Sequence, residues 1–140
     1  MTREQIVDLF TQREAALNER SVDKLVAMYA EDAVVESPLG GTQQGRAAIR
    51  DVVHVFFDAF TDATFRTDGL IVDSDRVAHV VTFSGIDSGG LMGMAPSGKP
   101  AVVPMVFVCR VADGLIQYEQ RIYDFTGMLV QVGVLKARPA

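Results

Sequence analysis

The spacing of apolar residues changes once along the chain, and this change constrains the fold more than any other feature. Over residues 1–60 the apolar side chains recur at helical spacing, whereas from Ala63 onward β-branched and apolar residues form extended runs. Helices followed by a run of strands predict an α+β fold, with the helices packed on one face of an antiparallel sheet. Strands of this length twist and curl, so we expect a cone-shaped sheet whose helices enclose a pocket.

Three helices are predicted in the N-terminal part. The first begins at a capping box formed by Thr2 and Gln5, and the second runs from Val22 to Tyr29. Ala33 to Glu36 reads as a short strand before the third helix, which follows Gly45. The apolar stripe of the first helix consists of Ile6, Leu9, Phe10, Ala16 and Leu17.

Four strands and a short final element are predicted after these helices. An apolar loop with two glycines, 91–98, separates the second strand from the third, and Asp113-Gly114 forms a tight hairpin turn. Residues 126–135 form a short helix or an extension. The predicted strands are Ala63 to Val72, Arg76 to Ile86, Lys99 to Ala112 and Leu115 to Tyr123.

Composition and charge exclude several classes of protein. A length of 140 residues, 49% hydrophobic and 22% charged, predicts one globular domain over residues 1–140. The net charge of -5 argues against nucleic-acid binding. Cys109 is the only cysteine, so the chain can form neither an internal disulfide nor a cysteine-based zinc site.

The chain has no apolar stretch of about 18 residues, which predicts no membrane-spanning helix. Residues 1–5 lack the basic-then-apolar pattern of a signal peptide. Together with the single cysteine, these features lead us to expect a cytoplasmic protein.

Asp124 is the first candidate for a catalytic residue. It lies among groups that should be buried, and a buried carboxylate is costly unless it is hydrogen-bonded, paired or protonated. In a pocket, a desolvated carboxylate suits proton transfer. Alternatively, Asp124 caps the final helix through the amides of Thr126 and Gly127.

Four further residues are candidates for binding a substrate. Because side chains alternate along a strand, Tyr118, Gln120 and Asp124 should share one face with Ile116 and Ile122. Apolar walls with a few polar groups are typical of small-molecule pockets.

The other two candidates, Arg13 and Tyr29, lie in the helical part. Arg13 lies inside the apolar stripe, where it could hold a ligand, pair with Asp124, or extend its charged end to water. Tyr29 could offer its hydroxyl to the pocket or belong to the core.

The two histidines do not suggest metal binding. His79 alternates with apolar residues and reads as a structural core residue, whereas His54 lies off the apolar face of its helix. Neither has a carboxylate at metal-ligand spacing, and no glycine run matches a phosphate-binding loop. We therefore predict no metal site and no cofactor. Asp87 reads as a strand-end cap or a second acid near the pocket mouth.

Several segments carry a resemblance to the nuclear-transport-factor-2-like superfamily. Residues 28–38 and 45–49, MYAEDAVVESP and GRAAI, resemble the steroid delta-isomerase branch. Residues 92–100 and 110–114, with Asp124 and Gly127, resemble the SnoaL-like polyketide cyclases. The resemblance implies the cone-shaped, cystatin-like fold, a ligand pocket and a homodimer.

The resemblance also bears on the chemistry. The position of the isomerase general base is Ser37, that of the oxyanion-holding tyrosine is Arg13, and that of the second acid falls near Pro104 or Met105. A steroid isomerase mechanism is therefore not expected. Asp124 matches the aspartate that the cyclases use as general acid/base.

Three functions remain open at this point. The first is an enzyme that moves a proton beside the carbonyl of a mostly apolar compound, in aldol cyclisation, isomerisation or dehydration. The second is a non-catalytic domain that binds an apolar small ligand in the same pocket. The third is a dimerisation module, which leaves Asp124 and Gln120 unexplained.

Overall fold

The computed structural model describes residues 1–136 and has an α+β architecture, as the sequence predicts. A curved sheet of six strands carries helices on its concave face. In chain order the elements are α1 (Arg3–Glu19), α2 (Val22–Val26), β1 (Tyr29–Ser37), β2 (Gly41–Gln44), α3 (Arg46–Ala59), β3 (Thr64–Asp73), β4 (Arg76–Ile86), β5 (Pro100–Ala112), β6 (Leu115–Tyr123) and α4 (Phe125–Gln131).

The sheet is mixed, which corrects the expectation of a wholly antiparallel one. The strand order is β2-β1-β6-β5-β4-β3, and every pair is antiparallel except β1 and β6. The β5–β6 hairpin leaves one edge of β6 open, and β1 covers that edge while running in the same direction. Pairing between strands so distant in sequence leaves no local signal in the chain.

The second helix is shorter than predicted, and Tyr29 belongs to a strand. The helix ends at Val26, and the carbonyl of Met28 accepts a hydrogen bond from the backbone N–H of Ile116. Pairing with β6 thus satisfies backbone groups that a longer helix would have satisfied itself. The tertiary pairing therefore overrides the helical pattern at this point.

The core lies between the concave face of the sheet and helices α1 and α3. Alternate residues of β5 point to this face, and the stripes of both helices cover them. The side chain of Asn18 fixes α1 to β3 through both the N–H and the carbonyl of Phe65. We call the concave side the inner face and the opposite side the outer face.

A bulge in β6 reverses its side-chain pattern. Val111 pairs with Ile116 but Arg110 pairs with Tyr118, so Gln117 is an extra residue in β6. One extra residue in a strand moves every following side chain to the opposite face. As a result, Ile116 and then Glu119 are buried, and the strict alternation predicted from the sequence fails beyond residue 116.

Within residues 1–136, none of the helices is long and apolar enough to cross a membrane.

Candidate functional site

Arg13 is buried in the core beneath the helices. Its side chain is only 1% exposed, so the expectation that its charged end reaches water is wrong. The guanidinium carbon lies 4.3 Å from the centre of the Phe107 ring, a cation–π contact. A buried guanidinium needs a negative partner, and this partner is Glu119 rather than Asp124.

Glu119 is the centre of a buried polar cluster. Its Oε1 accepts hydrogen bonds from Nη2 of Arg13 at 2.5 Å and from the Tyr29 hydroxyl at 2.9 Å. Its Oε2 accepts one from Nε of Arg121 at 2.7 Å. One carboxylate therefore serves two guanidiniums.

Two more groups complete what we call the Arg–Glu cluster, which comprises Arg13, Tyr29, His79, Cys109, Glu119 and Arg121. Nη1 of Arg13 donates to Nδ1 of His79 at 3.1 Å, so Nε2 of this histidine donates to the Thr67 hydroxyl at 2.8 Å. The Cys109 thiol lies 3.5 Å from Glu119. His79 is therefore a neutral structural residue, in agreement with its sequence pattern.

Charges and burial oppose each other in this cluster. Burial by itself would raise the pKa of Glu119, but the guanidiniums of Arg13 and Arg121 bring it down to about 2. Burial, aided by the charge of Arg13, lowers the pKa of His79 to about 3. At neutral pH the carboxylate is therefore ionised and the imidazole is uncharged.

A cavity, here called the inner pocket, adjoins the cluster. Its polar lining consists of Arg13, Ser37, Arg121 and Tyr123, and the rest is apolar. Such a lining fits an apolar small molecule with one or two polar groups. The apolar lining residues are Leu17, Leu25, Leu39, Val53, Phe56, Phe57, Phe65, Met105 and Phe107.

The inner pocket is narrow and has a mouth at one end. It encloses about 40 Å³, room for one or two water molecules. Buried residues form its floor, whereas Ser37, Leu39, Phe56, Arg121 and Tyr123 are half-buried and surround the mouth. A mid-sized ligand therefore enters only if the mouth opens.

Asp124 lies outside the inner pocket and is exposed, so the expectation that this carboxylate is buried is wrong. It is the N-cap of α4, where Oδ1 accepts a hydrogen bond from the Gly127 N–H at 2.8 Å. This is the capping alternative that the sequence left open. Its predicted catalytic role stays a prediction.

Of the four predicted substrate-binding residues, two lie in the Arg–Glu cluster and two do not. Arg13 lines the inner pocket, and Tyr29 lies behind it as a partner of Glu119. Tyr118 is on the outer face, where its hydroxyl donates to Glu36 at 2.5 Å, and Gln120 is exposed there. The bulge in β6 explains the displacement of this pair.

Asp87 organises the loop that follows β4. Its buried carboxylate accepts hydrogen bonds from the N–H of Gly90, from the N–H of Ser97 and from the Ser97 hydroxyl. It is not part of the inner pocket, and the capping reading of this residue is confirmed. Among residues 1–136, no group of three or more His, Cys, Asp or Glu side chains could hold a metal ion.

Three positions picked out by the isomerase resemblance meet in the inner pocket. Arg13, Ser37 and Met105 all line it. The hydroxyl of Ser37 accepts a hydrogen bond from the Gly40 N–H. These three positions thus lie together, but their side chains offer no carboxyl group for proton transfer.

Glu119 and Arg121 are central to this site but were not predicted from the sequence. Strict alternation assigned both to the outer face, and only the bulge turns them inward. An indirect signal was present, because Arg13 lies within an apolar stripe and would need a buried acid if its charged end did not reach water. Glu119 is the acid that the fold provides.

The comparison with protein families agrees with this geometry. SnoaL-like polyketide cyclases match residues 7–132 of the chain. The protein belongs to this family. The match spans every helix and all six strands apart from the first turn of α1. No curated protein matches the chain.

Solved structures show the same ketosteroid isomerase-like, nuclear-transport-factor-2-like fold. AclR, a proposed hydroxylase from Streptomyces galilaeus, is 22% identical, with a TM-score of 0.84 over 99% of this chain and 87% of that one. IdmH, a proposed polyketide cyclase from Streptomyces antibioticus, is 27% identical, with a TM-score of 0.77 over 91% and 97%. TerC, crystallised with polyporic acid, is 18% identical, with a TM-score of 0.76 over 92% and 98%.

Proposed function

We propose that this SnoaL-like protein binds a mid-sized, largely apolar carbonyl compound in the inner pocket and stabilises its enolate. The observation that carries this proposal is the position of Arg121. This residue lines the pocket, its Nε is held by Glu119, and its two terminal nitrogens have no hydrogen-bond partner among residues 1–136. A fixed guanidinium in an apolar cavity can hold a carbonyl oxygen on which negative charge develops.

The similar proteins support the class of ligand. TerC was crystallised with polyporic acid, and IdmH is a proposed polyketide cyclase. We extend to this chain only the general feature, an apolar small molecule with oxygen substituents. The apolar walls of the inner pocket suit the carbon skeleton of such a compound.

The enzyme hypothesis also needs a base, and the family resemblance assigns this role to Asp124. The base would take a proton from the carbon beside the carbonyl, while Arg121 holds the enolate oxygen. Asp124 directly follows Tyr123, which lies at the pocket mouth. A substrate that contacts both Arg121 and Asp124 must therefore extend through the mouth.

The alternative is a binding domain without catalysis. One observation favours it: within residues 1–136 no carboxylate lines the inner pocket, and the adjoining Glu119 already has both oxygens hydrogen-bonded. A carboxylate held between two guanidiniums with a pKa of about 2 is a poor base. The two functions differ in whether the pocket moves a proton.

Exchange of the ligand's protons with solvent separates the two functions. A panel of apolar ketones, lactones and 1,3-diketones, the last of which form acidic enols, is first screened for binding by native mass spectrometry. Each bound compound is then incubated with the protein in D₂O, and NMR follows loss of the protons beside the carbonyl. Exchange above the buffer rate supports the enzyme, and binding without exchange supports the binding domain. If no compound binds, the pocket proposal fails.

The catalytic role of Asp124 is tested with Asp124→Asn, because asparagine also caps a helix. We expect lost exchange with unchanged binding. Asp51→Asn, an exposed aspartate on α3, is the matched control and should exchange like the wild type. Exchange that survives in Asp124→Asn would show that another group is the base.

A homodimer is the second part of this proposal. The outer face carries large exposed apolar side chains, with Val102 55% and Ile122 48% exposed. An apolar sheet face of this kind is typical of an interface between subunits. Analytical ultracentrifugation should give twice the monomer mass, and Ile122→Lys should shift the protein toward the monomer. The cytoplasmic location and the single domain over residues 1–140 stay predictions from the sequence.

A further inference from the structure

The Arg–Glu cluster carries more positive than negative charge. Arg13 and Arg121 are both cations, and Glu119 is the only anion that contacts them among residues 1–136. His79 is uncharged at neutral pH, since burial and Arg13 lower its pKa to about 3. The remaining titratable groups that face the cluster are neutral at pH 7, and burial raises their pKa values further: Tyr29, Cys109 and Tyr123.

The two guanidiniums of the cluster also have N–H groups without a hydrogen-bond acceptor. Both oxygens of Glu119 are occupied, yet Nε of Arg13 is buried without any partner. It is the one side-chain nitrogen or oxygen in that condition within the described part of the chain. The terminal nitrogens of Arg121 also make no hydrogen bond within residues 1–136, and this side chain, 13% exposed, lines the inner pocket.

The side chain of Arg121 is only 13% exposed, so the excess positive charge is poorly solvated, and the apolar walls of the inner pocket strengthen its field. A bound anion would offset this charge. A guanidinium whose Nε is already fixed by Glu119 presents its two terminal N–H groups as a fork. This geometry fits the two oxygens of a carboxylate or of an ionised dicarbonyl compound.

We infer that the inner pocket takes an acidic ligand in its ionised form, with Arg121 binding two oxygens of a carboxylate or an acidic enol. The inference rests on the proposed binding function and narrows its ligand class. A neutral ketone offers a single oxygen to the guanidinium and would leave the excess charge in place. The natural ligand is therefore an apolar ring system that already carries a negative charge before any reaction.

Matched acid and amide pairs test this inference on the wild-type protein. The probes are benzoate, 2-naphthoate and anthracene-2-carboxylate, each compared at pH 7 with its primary amide, which has nearly the same shape. Isothermal titration calorimetry should show that the acids bind at least about tenfold more tightly than the amides. Equal affinities would overturn the inference while leaving the binding function intact. If none of the pairs binds, both fail.

Two substitutions test whether Arg121 causes the preference for acids over amides. In Arg121→Gln the preference for the acid should disappear, with amide affinity changed less than about twofold. Arg121→Lys keeps the charge without the fork, so part of the preference should remain. Arg3→Gln, which removes an exposed arginine at the start of α1, is the control for net charge. An undiminished preference in a folded Arg121→Gln protein would contradict the assignment, and circular dichroism checks the fold.

Discussion

Arg13 on α1 and Glu119 on β6 lie 106 residues apart in the chain and form a buried ion pair, with Nη2 of Arg13 2.5 Å from Oε1 of Glu119. Their side chains are 1% and 0% exposed. The same carboxylate also holds Arg121, so the pair is part of a three-membered network. Whatever the net contribution of the complete network, removal of one member leaves buried charge uncompensated and is strongly destabilising.

Replacement of Glu119 should therefore strongly lower the stability of the protein. Glu119→Gln leaves two guanidiniums in the core without their anion, and we expect a loss of about 3–5 kcal/mol in the free energy of unfolding. Urea denaturation followed by circular dichroism measures this change. Glu31→Gln, at an exposed position of β1, should stay within about 0.5 kcal/mol of the wild type. If Glu119→Gln lowers the free energy of unfolding by less than about 1 kcal/mol, the Glu119 carboxylate is not buried and ion-paired as described.

Stability should fall in two stages as the pH is lowered. The pKa of His79 is about 3 in the folded protein and ordinarily about 6.5, so below pH 6.5 the unfolded chain binds the extra proton. Each such group makes the free energy of unfolding fall by about 1.4 kcal/mol for each pH unit between its two pKa values. Glu119, with a pKa of about 2 against an ordinary 4.5, adds its own slope below pH 4.5. The midpoints of urea denaturation, measured between pH 8 and pH 3, follow both stages.

Substitution of the histidine separates these stages. In His79→Gln the slope between pH 6.5 and 4.5 should largely vanish, while the steeper fall below pH 4.5 persists. His54→Gln changes the exposed histidine on α3 and should keep the wild-type profile. If His79→Gln retains the upper slope, another group is responsible for it.

The thiol of Cys109 should be unreactive in the folded protein. It is 1% exposed, and burial together with the Glu119 carboxylate raises its pKa well above the usual value. Since the thiolate is the reactive form, iodoacetamide at pH 7.5 should not modify the native protein within hours. The same protein in urea should be labelled within minutes. Mass spectrometry measures the extent of labelling in both cases. Rapid labelling without denaturant would indicate that the core opens readily.

The capping role of Asp124 predicts a modest effect on stability. Asp124→Ala removes the acceptor for the Gly127 N–H and should cost about 1 kcal/mol, whereas Asp124→Asn should be nearly neutral. Thermal unfolding of the three proteins measures the difference. A loss of several kcal/mol for either variant would mean that the carboxylate has a buried partner that the cap does not explain.

Local patterns predicted most of the fold. The capping box of Thr2 and Gln5, the apolar stripe of α1 and the hairpin turn at Asp113-Gly114 all form as the sequence indicates. The resemblance to the SnoaL-like cyclases also predicted the fold correctly, whereas of the predicted site residues only Arg13 lines the inner pocket. These features depend on residues close together in the chain, so their signals survive in the sequence.

The errors arise where distant segments meet. The parallel pairing of β1 with β6 changed Tyr29 from helix to strand, and the extra residue Gln117 moved Tyr118 and Gln120 outward. Neither effect has a local signature, because each depends on which strand becomes a neighbour and in what register.

By itself, the sequence determined the α+β architecture and most of its helices and strands, because apolar periodicity is a local property of the chain. The tertiary structure alone decided that Arg13 is buried and which acid it meets. The register of β6 turns Glu119 and Arg121 toward α1 and leaves Asp124 as the cap of α4. A one-residue change of register exchanges the two faces of a strand, and only the packed sheet fixes that register.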